Sequence, residues 1–196
     1  MELINNVSKT LKDDLSVEIK NGSKLSIAAA CFSIYAFQEL KNELTNIDEL
    51  RFIFTSPTFV TEKAKKEKRE FYIPRLNRER SLYGTEFEIK LRNELTQKAI
   101  AKECAEWIRE KVTFKSNVSD KSIQGQMVVD NVGYTPIDGF TTVELGCEKG
   151  NSISTTIVKD ESLAQTLLRD FNEIWNDSKV LQEVTDEVID NITAAY

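Results

Sequence analysis

The sequence predicts an α+β fold, α/β-like in its first third: a mixed β-sheet flanked by helices on both faces. Three observations carry this. Two continuous apolar runs, Leu25–Phe32 and the ELRFIFTSP segment, flank a helix-spaced stretch. Short strand-like segments with turn signals crowd residues 112–158. Amphipathic helical spacing recurs between and after them. At 196 residues the chain is long enough for one well-packed domain and too short for two large ones.

In chain order, VSKTLKDDLSVEI has apolar residues at 7, 11, 15 and 19, the spacing of a helix, and Asn21-Gly22 stops it. Lys24–Phe32, broken only by Ser26, suits a strand buried on both faces. Ser33 is placed to cap a helix through about Leu44, and ELRFIFTSP ends a second buried strand at Pro57. Buried strand, helix, buried strand is the βαβ pattern, which predicts a parallel pair. Helical spacing returns from about Glu88 through ELTQKAIAKECAEWIREK. VTFKS follows as a strand with alternating faces, then a polar loop and the strand QMVVD. Tyr134–Phe140, the VELG segment and ISTTIV (153–158) read as antiparallel strands. Asp160 is placed to cap a helix through Trp175, and a last helix is expected from about Leu181. It reaches ITAAY without a glycine or proline stop, so the natural chain is expected to continue beyond an excised domain.

Composition removes several functions. The chain has no histidine, so it holds no Ser-His-Asp triad, Cys-His pair, HExxH zinc helix or imidazole nucleophile. Its seven glycines are scattered singly and form no P-loop. Three widely spaced cysteines, Cys31, Cys104 and Cys147, read as reduced, small buried hydrophobes in a cytoplasmic protein. No apolar run approaches the ~18 residues of a membrane span, and no cofactor or resident metal is expected. Trp107 and Trp175 are expected in the core. Asp13-Asp14 and the acidic residues Glu183, Asp186, Glu187 and Asp190 read as solvated faces.

Residues 60–92 break the rhythm. They hold ten Lys/Arg against six Glu, four positive charges in excess, on a chain whose net charge is −6. The rest of the chain is therefore ten charges negative. The segment reads as a basic excursion from the sheet. Lys63, Lys65, Lys66, Lys68 and Arg69 are candidates for meeting phosphates, and Arg75, Arg78 and Arg80 for reaching a groove, with Tyr72 and Tyr83 nearby for stacking. Interspersed glutamates offer the plainer alternative of a solvated segment with i,i+4 pairs such as Glu62 to Lys66.

The ordered set IAAACFS, LRFIFTSP, AECAEWIREKV, VTFKS, QGQMVVDN, IDGFTTVELG and SISTTIVKDESLAQTLLRDFNEIW resembles the phospholipase D superfamily over most of the chain. The segment EFYIPRLNRERSLYGTEFEIKLRNELTQKAIAKECAEWI and the closing VTDEVIDNITAAY resemble the phospholipase D-like domain at the N-terminus of bacterial DEAD/DEAH and Swi/Snf-type helicases. The resemblance implies a nuclease-like sandwich over 1–178, with residues 179–196 leading toward a helicase or ATPase region of the same chain. It also implies a twofold homodimer.

The family's motif is His-x-Lys, four residues, then Asp; the His attacks phosphorus and the Lys holds a phosphate oxygen. The resemblance places Gln124 at the His, Gln126 at the Lys and Asn131 at the Asp. Where the family has Gly-Ser and then Asn-x-Glu, this chain has Gly139-Phe140 and Asn151 followed by Ile153. Glutamine supplies neither a covalent nucleophile nor a full positive charge, though its amide still donates hydrogen bonds. The resemblance therefore implies a vestigial site in an accessory domain that helps a motor grip DNA or dimerise. Two alternatives stay open: a nuclease using carboxylates and a divalent metal, and an interaction domain that packs on its own motor.

Overall fold

The computed structural model describes residues 1–56, 94–147 and 156–194. The elements are β1 (Glu2–Ile4), α1 (Leu11–Glu18), β2 (Lys24–Ala29), α2 (Ile34–Glu39), α3 (Lys41–Leu44), β3 (Glu49–Phe54) and α4 (Glu94–Lys111). They continue with β4 (Val112–Asn117), β5 (Gln126–Val129), β6 (Val132–Thr135), β7 (Ile157–Asp160), α5 (Glu161–Trp175), β8 (Leu181–Glu183) and α6 (Thr185–Ala194). The described strands form one mixed sheet in the order β1-β7-β6-β5-β2-β3-β4-β8.

β2, β3 and β4 run parallel, with Ser26 opposite Arg51 and Arg51 opposite Thr113. β2 and β3 are joined through α2 and α3, as the βαβ reading expects. Ser33 caps α2 by accepting from the Tyr35 and Ala36 amides. The other strand pairs are antiparallel, and β5 lies against β2 with Gln126 opposite Ala28.

Side-chain alternation gives the sheet two different faces. On one, Ile27, Phe52, Phe54 and Phe114 meet Leu11 and Leu15 of α1, Phe37 of α2, Ile108 of α4 and Val188 and Ile192 of α6. Phe32 stands at its centre, 5.2 Å edge-on to Phe114 and 5.6 Å stacked on Phe140. Trp107 lies here as expected, with its indole N–H donating to the Leu44 carbonyl at 2.9 Å. On the opposite face Ala28, Ile53 and Leu181 pack against Phe171 of α5. Among the described residues, helices therefore cover both faces, five against one and α5 alone against the other.

Four expectations are corrected. Val7 has the helical spacing but is 71% exposed, because Thr10 caps α1 and sets its start. VELG is a turn rather than a strand: Leu145 N–H returns to Thr141 O, and Gly146 takes φ +78°. In Tyr134–Phe140 the strand ends at Thr135, and Phe140 makes a lone parallel bridge to Phe32. The chain after Leu181 forms β8 before it becomes helical, and α6 buries Val188, Ile189 and Ile192 in the main core. The helix start near Glu88 and the strand start near Ile153 lie outside the described residues.

Candidate functional site

β5 runs against β2, so its N-terminal end meets the C-terminal end of the parallel strands, where open α/β sheets place their ligands. Gln124 is exposed just ahead of β5. Beside it, the Ile137 amide donates to Gly125 O at 3.1 Å. The approach is so close that a Cβ on Gly125 would stand 1.6 Å from the Ile137 carbonyl oxygen. The same loop is stitched to the end of β2 by Ala30 N to Asp138 O (2.8 Å) and Phe140 N to Cys31 O (2.9 Å). The fold thus brings the Gln124–Gly125 pair and the Gly139–Phe140 pair to one end of the sheet.

The other two motif positions do not join them. Gln126 is half-buried on the α5 side of the sheet, and its Nε2 donates to Leu167 O at 3.1 Å. Its amide braces α5 and is not presented to a ligand. Asn131 is exposed in the β5–β6 turn, at the far end of β5. Phe140 has its ring in the core, 2% exposed, at the position where the resemblance expects a serine hydroxyl.

No family model matches the chain, and no curated protein matches it. Among solved structures, 93% of the chain is similar to 52% of TrmBL2, an archaeal chromatin protein whose structure shows a novel mode of DNA binding; the identity is 10% and the TM-score 0.40. The chain spans about half the length of that protein.

The basic candidates Lys63, Lys65, Lys66, Lys68, Arg69, Arg75, Arg78 and Arg80 lie outside the described residues, as do Tyr72, Tyr83, Asn151 and Ile153. Among the described residues no cluster of three or more His, Cys, Asp or Glu could hold a metal ion. No helix among them is long and apolar enough to cross a membrane. None of the three cysteines forms a disulfide, and burial pushes the Cys104 thiol well up.

Sequence reading missed two features. Asp14, expected on a solvated face, is buried: it accepts from the Tyr134 hydroxyl at 2.5 Å and from Lys159 Nζ at 3.0 Å. Lys159 also pairs with Glu18 at 3.0 Å. The available signal was position, since Asp14 directly precedes Leu15 and follows Leu11 by one helical turn. The second is Glu144, close to the Gly139 loop. Burial raises its carboxyl pKa to about 7, against the opposing hydrogen bond from the Asp138 amide.

Proposed function

We propose that this chain is a non-catalytic, phospholipase D-like accessory domain that serves a nucleic-acid motor by gripping DNA, by dimerising, or by both. One observation carries the reading: the motif positions have been taken over by structure. Gln126 ties down α5, Phe140 fills the core, and Asn131 stands at the opposite end of β5 from Gln124. With no histidine in the chain, the covalent phosphohistidine route is closed. The ordered set of segments and the mixed sheet support the family assignment.

The described residues carry ten net negative charges, because the four positive charges in excess fall in residues 60–92 and Glu148 and Lys149 cancel. A DNA grip therefore falls to residues 60–92, led by Lys63, Lys65, Lys66, Lys68 and Arg69, with Arg75, Arg78 and Arg80 behind them. The remaining partners of this reading are a helicase or ATPase region in the same chain and a second copy of the domain. A cytoplasmic setting fits three cysteines that form no disulfide.

The test is fluorescence anisotropy of labelled single- and double-stranded DNA over a salt series. Affinity falling with a log–log slope worth several phosphates supports the grip. Cleavage of the same DNA that depends on Mg²⁺ or Mn²⁺, and is lost on changing a local Asp or Glu, overturns the non-catalytic reading. The acidic body favours a second reading, a module that packs on its own motor; absence of DNA binding at low salt selects it.

A further inference from the structure

The two central strands carry an anomaly that the motif does not explain. Strands buried on both faces are ordinarily apolar throughout, yet β2 and β3 place Ser26 and Arg51 opposite each other, with Thr113 of β4 next in the row. The row lies on the α5 face. The C-terminal end of α5 reaches across it, with the Arg51 guanidinium carbon 5.0 Å from the Phe171 ring centre and 5.6 Å from that of Trp175. Toward the N-terminal ends of β2 and β3 the face stays open, as a cleft of about 630 Å³ lined by Lys20, Lys24, Glu49, Arg51, Glu161 and Leu168 among others.

Arg51 is held in place without a close ion pair among the described residues. Its Nη2 donates to Ser26 Oγ at 3.0 Å, while its Nε is buried and has no hydrogen-bond partner. No carboxylate among the described residues forms an ion pair with it. The group remains a cation at neutral pH even where burial disfavours the charge. A guanidinium fixed by two aromatic rings and one hydroxyl, in ion-pair contact with no carboxylate among the described residues and influenced by Glu49 only through its charge, is preorganised for an oxyanion.

The surrounding charges choose among oxyanions. Two acidic neighbours are already engaged: Asp130 accepts from Ser23 Oγ and Lys24 N, and Glu18 pairs with Lys159. Glu49 and Glu161 have no such partner among the described residues, and they repel a multiply charged group. We propose that this cleft binds a singly charged carboxylate on a ligand whose remainder is neutral or cationic, a free amino acid or the end of a short peptide. Arg51 forks the carboxylate, and Glu49 and Glu161 favour an ammonium or amide-rich remainder. The site lies at the opposite end of β5 from Gln124 and does not depend on the nucleic-acid reading.

The test titrates ¹⁵N-labelled protein and follows the Arg51 Nε–H resonance. The probes are sodium acetate, glycine and triglycine, with inorganic phosphate at matched ionic strength. The expected result is a saturable shift with glycine and triglycine, and at least fivefold weaker response to phosphate. Arg51→Lys keeps the charge but loses the fork and should weaken triglycine binding at least tenfold; Ser26→Ala, which frees the guanidinium, should weaken it severalfold and serves if the first variant does not fold. Glu49→Gln should bring phosphate binding up toward that of the carboxylates. A response to glycine but not triglycine assigns free amino acids, and the reverse assigns peptide ends. No saturable shift with any carboxylate, an Arg51→Lys protein that binds like the parent, or tighter binding of phosphate than of carboxylates overturns the proposal.

Discussion

The Tyr134 hydroxyl donates to Asp14 Oδ2 at 2.5 Å, joining the middle of β6 to the middle of α1. Asp14 is also held by Lys159 of β7 at 3.0 Å and by Lys9 at 3.4 Å, so one buried carboxylate ties a helix to two strands. Tyr134→Phe removes one of three donors and should cost about 1–3 kcal/mol. Lys159→Met leaves Asp14 and Glu18 short of their shared cation and should cost more, about 3 kcal/mol. Urea unfolding of the two variants checks both the size and the order.

Glu144 gives a pH dependence with a definite sign. Its folded-state pKa is raised to about 7 from the ordinary 4.5, chiefly by burial. Between those values the native state binds more protons than the unfolded one, so this group's contribution makes stability fall as pH rises from about 4.5 to 7. Glu144→Gln should be nearly neutral at pH 4.5 and stabilising by about 1–3 kcal/mol at pH 8. Unfolding curves at the two pH values decide it, and equal effects at both would show that Glu144 titrates normally.

Gly125→Ala has no room for its methyl group, because the obstruction is the Ile137 carbonyl oxygen, a backbone atom. The loop carrying Asp138 and Gly139 would have to move, at a cost of about 3 kcal/mol or more. Loss of the cooperative thermal transition, or a large fall in its midpoint, is the expected readout.

Gln124 and Gln126 should behave differently although they stand two residues apart. Gln124→Ala, on an exposed side chain, should change stability by no more than about 0.5 kcal/mol. Gln126→Ala loses the hydrogen bond to the Leu167 carbonyl and should cost about 1 kcal/mol. Installing the two residues of the proposed phospholipase D-like motif, as Gln124→His with Gln126→Lys, should give no metal-independent phosphodiester hydrolysis. Phe140 still occupies the core, and Asn131 is still neutral and distant. Assay of that double variant on an activated phosphodiester tests this, and robust turnover would show that those later positions are dispensable.

What the sequence reveals here follows the range of the interactions. β2, β3 and their capped crossover helix are local or nearly so, and the apolar run, the Ser33 cap and the βαβ order predict them correctly. Asp160 likewise caps α5 through its own neighbour, Ser162. β1 and β8 escape because each is only three residues long and pairs with a distant partner. VELG misleads because four residues of mixed polarity fit a strand or a turn equally well, and the contact that decides, Leu145 N–H to Thr141 O, is not written in the alternation. At the motif, residue types indicate what chemistry is missing. They do not indicate that Gln126 has turned to serve α5, since that depends on where a helix forty residues later comes to lie.

The placement of β1 has a consequence for synthesis. Ile4 is paired in the sheet with Ile157, so among the described strands β1 has no partner until β7 emerges from the ribosome. At ordinary elongation rates of roughly 5–20 residues per second, that wait is on the order of ten to thirty seconds. Throughout it the apolar residues Met1, Leu3 and Ile4 are available to whatever binds nascent chains. A ribosome stalled before residue 157 would hold a chain whose β2, β3 and β4 can already associate but whose β6 edge stays open, a species for quality control to recognise.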